Sequence, residues 1–304
     1  MTSDDLAGLR KGLLAFCYQM LGSPFDAEDA VQDVMERAWR ARDSYDPARA
    51  SLSTWTYRVA RNVCIDRLRA APRRALPRDL RDPGLDIGAP LVPALDVPWL
   101  MPAPTSWWTD SEVEGEVVAA EEMRLAVTAM LQSLPPRQRG VFILREVLGQ
   151  SAAETAEILE MTVPAVNSAL QRARTAVGGG GRSAALQPGA VERYAQAIVD
   201  ADVTALAALV TDDVLFEMPP VPQWSRGREP YATFMAYLFD WQGRNWAARV
   251  VSANGQAAML LYIVTDDGPR PHTVQLFDGD GSGGIGHVLV YRDERLFQLF
   301  EQTD

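Results

Sequence analysis

The stretch Ser151-Ala-Ala-Glu-Thr-Ala-Glu-Ile-Leu-Glu-Met-Thr-Val-Pro-Ala-Val-Asn-Ser-Ala-Leu-Gln-Arg-Ala-Arg174, with Leu134-Pro-Pro-Arg-Gln-Arg139 shortly before it, decides how this chain reads. It spells a helix-turn-helix with its start signals written out. Ser151 and Glu154 have the spacing of a capping box, in which two side chains satisfy two of the backbone N–H groups that a helix start leaves unpaired. That helix runs to about Leu159, and Glu160-Met161 makes a tight break. Thr162 then caps a second helix with Pro164 in its first turn, where a missing N–H costs little. Val163, Val166, Leu170 and Ala173 share one side of this helix, and Ser168, Gln171, Arg172 and Thr175 share the other. An apolar back with an Arg, Gln and Ser front suits a reader of the DNA major groove: Arg and Gln pair with base edges, while Ser, Thr and Arg hold phosphates. An ordinary helical hairpin with a solvated polar face has the same pattern, so this segment alone leaves both readings open.

At 304 residues the chain is long enough for two or three domains, and its 47% hydrophobic content is enough to fill their cores. It has no run of about 20 uncharged apolar residues, so no membrane span is expected. The start, Met1-Thr-Ser-Asp-Asp5, is acidic where a signal peptide would be basic, and a cytoplasmic location is expected. Cys17 and Cys64 lie within helical patterns and lack metal spacing; they read as buried free thiols, with no metal or cofactor expected. The net charge of −11 argues against nucleic acid only for the chain as a whole, because binding follows local potential. Between Met161 and Pro188 stand Arg172, Arg174 and Arg182 with no acid, and Arg69, Arg73, Arg74, Arg78 and Arg81 cluster around a lone Asp79. The acidic excess lies between Asp82 and Glu122 and in the last third.

Residues 6–70 read as a helical bundle. Leu6, Leu9, Leu13, Phe16, Cys17 and Met20 repeat at helical spacing up to a break at Gly22-Ser23-Pro24. A second helix from about Asp26 turns Ala27, Ala30, Val31, Val34 and Ala38 inward and leaves Glu28, Asp29, Gln32, Asp33 and Glu36 outside. After a loop at Asp43–Ser51, a third helix buries Leu52, Trp55, Val59 and Val63. Residues 71–111 are proline-rich and read as a linker, although Trp99, Trp107 and Trp108 imply that it packs against something. Helix returns from Val113 to Ala176, and Gly178–Gly181 forms a second break. From Pro188 the pattern changes to two amphipathic helices (188–199 and 202–210), a strand at Val214–Met218 and a helix over 229–239. Strand-like runs follow at 247–251, 257–265, 272–277 and 285–292, which together indicate an α+β domain whose curved sheet wraps its helices.

Three ordered motifs resemble the sigma-70 family of bacterial transcription initiation factors, in particular its extracytoplasmic-function (ECF) group. They are Asp26-Ala-Glu-Asp-Ala-Val-Gln-Asp-Val34, Ser51-Leu-Ser-Thr-Trp-Thr-Tyr-Arg-Val-Ala-Arg-Asn-Val-Cys-Ile-Asp-Arg-Leu68, and the helix-turn-helix with its Leu134–Arg139 prelude. The tail resembles the SnoaL-like members of the NTF2-like superfamily through Tyr194, Ala201-Asp-Val203, Phe216-Glu-Met-Pro-Pro220 and Trp224-Ser-Arg-Gly-Arg228. The resemblance implies a multidomain chain. An all-α sigma region 2 bundle (residues 1–71), a linker (72–112) and an all-α region 4 helix-turn-helix domain (113–177) come first. A Gly-rich linker (178–187) and an α+β NTF2-like curved-sheet cone (188–304) follow.

It also implies partners and roles: core RNA polymerase, through its β′ clamp helices and β flap, and promoter DNA. The acidic face Glu28, Asp29, Gln32, Asp33 and Glu36 would grip basic helices of the polymerase by charge complementarity. Arg58, Arg61, Asn62, Arg67 and Arg69 would meet the −10 element, where unstacked bases are trapped, with Trp55 either in the core or stacking on a base. Asn167, Ser168, Gln171, Arg172 and Arg174 would read the −35 element. The linker would thread through polymerase. The tail would act in cis on the sigma modules, aided by high effective concentration. It would hold a small ligand among Phe216, Met218, Trp224, Phe234 and Tyr237, or serve as a packed interaction domain. Some SnoaL-like relatives perform acid–base chemistry, for which Glu217, Asp240, His272 and His287 are the titratable groups at hand, but no enzyme is expected.

Overall fold

The structure is a computed structural model that describes residues 2–70, 73–109, 120–178 and 186–301. The chain divides into two compact units, Met1–Arg74 with Leu100–Gly181, and Ala75–Trp99 with Arg182–Asp304. The proline-rich stretch is thus divided between the two. The expected helix start at Val113 and the Gly179–Gly181 part of the second break lie outside the described residues.

The first unit is all helical. After α1 (Ser3–Ala7), α2 (Arg10–Leu21) is buried from Gly12 to Leu21, apolar on nearly every side, and forms the axis of the unit. It ends at Gly22, whose φ of +70° suits a residue without Cβ. An added Cβ there would also lie 2.9 Å from Leu100 and 3.0 Å from Arg74. α3 (Pro24–Arg40) starts two residues before the expected point because Ser23 caps it, accepting from the Asp26 N–H at 3.3 Å with Pro24 in the first turn. Ala27, Ala30, Val31, Val34 and Ala38 are fully buried, as the periodicity predicts.

α4 (Leu52–Ala70) departs from expectation. Its core stripe is Tyr57, Ala60, Val63 and Cys64, while Leu52, Trp55 and Val59 are only half-buried and Trp55 leans on Tyr45. The buried arc is rotated because α4 is covered on two sides, and one cover takes polar groups that an apolar stripe does not count. The chain returns at Leu100. Met101 donates its N–H to Gly22 O (3.0 Å) and accepts from the Tyr18 hydroxyl (2.9 Å), and Trp108, next to Trp107 in α5 (Ser106–Thr109), stacks on Tyr18.

The remaining helices are α6 (Leu125–Gln132), α7 (Pro136–Phe142, continued by a wide turn at Ile143–Val147), α8 (Ala152–Leu159) and α9 (Val163–Gly178). Ser151 and Glu154 form the expected capping box on α8, and Glu160 makes the break in left-handed conformation at φ +54°. The two helical blocks, legible in the sequence as separate modules, share one core in which Phe16, Tyr57 and Cys64 pack with Ile143, Ile158 and Leu170. Arg139 of the Leu134–Arg139 motif is part of that joint. It is buried and donates to Gln132 Oε1 (2.8 Å), Gln132 O (2.9 Å) and the carbonyl of Met20. Burial, then the nearby Arg73 charge, lowers its pKa to about 10, so the guanidinium stays charged at neutral pH.

The second unit is an α+β cone. Helices α10 (Ala190–Val199), α11 (Val203–Leu209) and α12 (Arg228–Gln242) pack on a six-stranded mixed sheet. Its strands are β1 (Val210–Met218), β2 (Val221–Arg226), β3 (Trp246–Ala253), β4 (Gln256–Thr265), β5 (Gly268–Gly279) and β6 (Ile285–Tyr291), in the order β2-β1-β6-β5-β4-β3. Only β1 and β6 run parallel; the other pairs are antiparallel. The sequence reading missed β2, whose Pro222 is tolerated because the strand is at the edge, and the final helix α13 (Glu294–Glu301). Residues 75–99 belong to this unit and are tied to it at four backbone points. Arg78 N donates to Glu217 Oε1 (2.9 Å), the Trp224 indole to Arg81 O (2.8 Å), Gly84 N to Trp224 O (2.9 Å) and Ala94 N to Pro220 O (2.9 Å). Leu85, Ile87 and Leu91 lie half-buried against the cone's core.

Candidate functional site

The exposed face of α9 is built by its buried one. Val166, Ala169, Leu170 and Ala173 are buried, which turns Asn167, Ser168, Gln171, Arg172 and Arg174 out to solvent. Val163, expected on the apolar side, is exposed, since it sits in the first turn ahead of the packed stripe. Arg174 pairs with Glu146 at 2.7 Å, while Gln171 and Arg172 project freely as the helix's polar front. On α3, Asp29, Gln32 and Glu36 are exposed and Glu28 and Asp33 half-exposed, one acidic ridge on a helix whose opposite side is core. Two of its members have partners within the unit: Asp33 pairs with Arg67 (2.7 Å) and Glu36 with Arg40.

The five polar candidates of α4 separate into two groups. Asn62 and Arg69 are exposed, and Arg67 is half-exposed beside Asp33. Arg58 and Arg61 instead face the helix-turn-helix. Arg58 contacts the Glu157 carboxylate (2.7 Å) and carbonyl (3.2 Å); Arg61 donates to Ile158 O (3.0 Å) and lies 3.1 Å from the Glu160 carboxylate. These carbonyls belong to the C-terminal turn of α8, where helix carbonyls lack intrahelical partners and the dipole favours cations. The Arg61 side chain, through its hydrogen bond and then its charge, holds the Glu160 carboxyl below its usual pKa.

The concave side of the cone encloses a cavity of about 730 Å³. Phe216, Met218, Phe234 and Tyr237 line it; Trp224 does not. Cross-strand partners share a face of a sheet, and Trp224 is paired with Glu217, which alternates with the cavity residues Phe216 and Met218 and so points the other way. On that outer face Glu217, fully buried, meets His287 Nε2 (2.8 Å) and Arg78 (3.4 Å). Burial drives the Glu217 pKa up, but the hydrogen bond and charge of His287, with Arg78, outweigh it and hold the carboxyl below its ordinary value.

Of the four titratable groups considered for chemistry, only His272 reaches the cavity; Asp240 is exposed on α12. His272 arrives there by a bulge. Leu261 pairs with Thr273 and Tyr262 with Pro271, which leaves His272 as the extra residue of β5. Burial, then Arg292, lowers its pKa to about 4, so the imidazole is neutral. Deeper in, Tyr231 donates to Tyr194 at 2.7 Å, and burial pushes both phenols above their ordinary pKa. The sequence reading missed Gln275, buried in the cavity wall, and the linker residues Leu91, Pro93 and Leu95 at its mouth. Apolar residues spaced between the linker prolines were the available signal. Among the described residues no cluster of His, Cys, Asp or Glu could hold a metal, and no helix is long and apolar enough to cross a membrane. Cys17 and Cys64 are buried free thiols.

Family models agree with this geometry. Sigma-70 region 2 matches residues 8–74, sigma-70 region 4 matches residues 124–177, and the SnoaL-like domain matches residues 191–295. The chain is 36% identical over 311 residues to the ECF RNA polymerase sigma factor SigG of Mycobacterium tuberculosis, covering 97% of this chain and 82% of that one. It is 32% identical over 177 residues to SigJ of the same species, 58% of this chain and 50% of the relative. The crystal structure of SigJ shares the fold, with a TM-score of 0.60 across 98% of each chain at 21% identity. The fold is that of a sigma factor with regions 2 and 4 and a SnoaL-like tail. The chain belongs to the ECF RNA polymerase sigma factors, and its function is promoter recognition in transcription initiation.

Proposed function

We propose that this sigma factor docks on core RNA polymerase through the acidic ridge of α3, with Glu28, Asp29, Gln32, Asp33 and Glu36 set against the basic clamp helices of β′. Region 4 meets the β flap and reads the −35 element through Asn167, Ser168, Gln171, Arg172 and Arg174. Region 2 engages the −10 element through α4, in the cytoplasm. The observation that carries this reading is the sorting of α9: five polar side chains on an exposed front, and a back locked into the core. That front can enter a major groove without any repacking of the helix.

The same reading gives the α4–α8 contact a role. Arg58 and Arg61 hold α8, so the unit as described is a closed form, and opening it releases two cations for promoter DNA. The SnoaL-like tail acts in cis as a regulator and not as an enzyme. In support, Glu217 and His287 are consumed by a structural cluster on the outer face, and His272 in the cavity is neutral. Residues 75–99, bonded to the tail along their length, are the means by which it acts on regions 2 and 4.

Run-off transcription by bacterial core polymerase with the full-length chain tests the proposal. A promoter-specific transcript that is lost with Asp29→Arg is expected. Failure of the wild-type chain to co-elute with core polymerase at low salt would overturn it.

A further inference from the structure

The cavity of the C-terminal cone has an unusual wall. Its inner surface comes from the cone itself, including the rings of Phe216, Phe234 and Tyr237, but its mouth is closed partly by Leu91, Pro93 and Leu95. Those residues belong to the segment that leaves region 2 at Arg74 and rejoins the helical unit at Leu100. Leu91 is half-buried, while Leu95 is 83% exposed, an apolar side chain held at the rim with little to cover it. Apolar surface left in water at the edge of an apolar cavity gains from any molecule that fills the cavity and touches it.

The cavity also contains a polar request. Gln275 is 5% exposed and lines the wall; its amide nitrogen donates to Thr273 Oγ1 (3.2 Å), but its Oε1 has no partner. His272 Nδ1, also in the wall, has none either. A buried acceptor without a donor is costly, and a bound molecule that supplies the donor removes the cost. The charged side chains of the lining, Arg292 and Glu294, are exposed and of opposite sign, while the covered part of the wall offers a neutral amide and a neutral imidazole with aromatic rings around them, so a ligand without net charge suits it best.

We propose that this cavity is a regulatory site for a small neutral aromatic molecule carrying a hydrogen-bond donor, and that its occupancy is read by the linker segment 89–95, which the ligand pins to the cone. The proposal rests on the regulatory reading of the tail and deepens it: the signal passes to regions 2 and 4 through the chain's own connection. The donor goes to Gln275 Oε1, the rings lie against Phe216 and Phe234, and the outer edge covers Leu91 and Leu95.

The probe for the test is N-phenyl-1-naphthylamine, which is neutral, aromatic and bears one N–H donor, added to the full-length protein. Its fluorescence is expected to rise saturably with one site per chain. Gln275→Leu, which keeps the side chain's bulk, weakens binding about tenfold, the loss of one buried hydrogen bond. Hydrogen exchange at saturation is the second readout. The Ala94 amide, bonded to Pro220 O, is expected to exchange at least about threefold more slowly, by the added protection of a local opening.

Absence of saturable binding overturns the proposal, as does equal binding to Gln275→Leu. So does binding that leaves Ala94 exchange unchanged or faster. The wild-type exchange measurement stands whether or not the variant folds. Neither measurement needs polymerase, so their failure leaves promoter recognition intact, and failed transcription leaves them standing.

Discussion

Arg61 of α4 donates through Nη1 to the carbonyl of Ile158 in α8 at 3.0 Å. A cation on α4 of region 2 thereby closes the C-terminal end of the first helix of the helix-turn-helix. The guanidinium is 8% exposed as a residue, and its other nitrogens are taken by Asn62 and Glu160. Arg61→Ala should therefore destabilise the helical unit by about 1.5–3 kcal/mol, the range for hydrogen bonds to charged groups. Arg69→Ala, on the exposed side of the same helix, should change stability by less than about 0.5 kcal/mol. Urea denaturation followed by circular dichroism distinguishes them, and equal midpoints would contradict a structural role for Arg61.

Charge reversal at Glu157 attacks the same contact from the other side. Glu157→Arg sets two guanidiniums together where Arg58 and Glu157 now lie 2.7 Å apart. Faster hydrogen exchange in both α4 and α8 is expected, with tighter binding of the free sigma factor to single-stranded −10 DNA. Slower exchange, or no gain in DNA binding, would show that the α4–α8 contact does not limit access.

Arg172 is exposed on the front of α9. Arg172→Ala should cost about 1–3 kcal/mol in holoenzyme affinity for its promoter and relax preference at one −35 position. A gel-shift series over single-base −35 variants measures both. Uniform weakening across all variants would reassign Arg172 to a phosphate.

Arg139→Met removes a buried guanidinium that donates to carbonyls of Met20, Gln132 and Leu134. Leaving those acceptors unpaired should cost about 3 kcal/mol, against less than about 0.5 kcal/mol for its exposed neighbour with Arg137→Met. Thermal unfolding of the two variants side by side gives the comparison.

His272 makes the tail acid-sensitive. Its folded pKa of about 4 lies below its ordinary value of 6.5, so the unfolded chain takes up a proton that the folded one refuses. Stability is then full above about pH 6.5 and is lost as pH falls toward about 4, on the order of 2 kcal/mol by pH 5. Glu217, depressed below its ordinary 4.5, acts in the same direction but only at lower pH. The melting temperature of the C-terminal unit should fall more between pH 7.5 and 5 in the wild type than in His272→Asn. Parallel shifts would remove His272 from the explanation.

How much was legible follows from the range of the interactions involved. The capping box of Ser151 and Glu154, the inward stripe of α3 and the polar front of α9 are set within a turn or two of chain, and all appear as read. The apolar stripe of α4 misled because the helix is covered on a second side by α8, which recruits Arg58 and Arg61 and leaves Trp55 half-exposed. β2 was hidden by Pro222, which breaks a strand pattern everywhere except at an edge.

By itself the sequence determined the caps of α8 and α9, the order of region 2, region 4 and SnoaL-like tail, and the solvent-facing side chains of α9 and α3. Capping and periodicity are local, and the motifs need no partner in space to be recognised. Only the tertiary structure decided which α4 cations are free, that Trp224 faces Arg81 and not the cavity, that a bulge turns His272 inward, and that the linker walls the cone. Each of those depends on register or on pairing across long separations, 97 residues for Arg61 with Ile158 and 143 for Trp224 with Arg81. Packing selects such partners by shape and by the cost of leaving a buried polar group unpaired, and no local pattern encodes them.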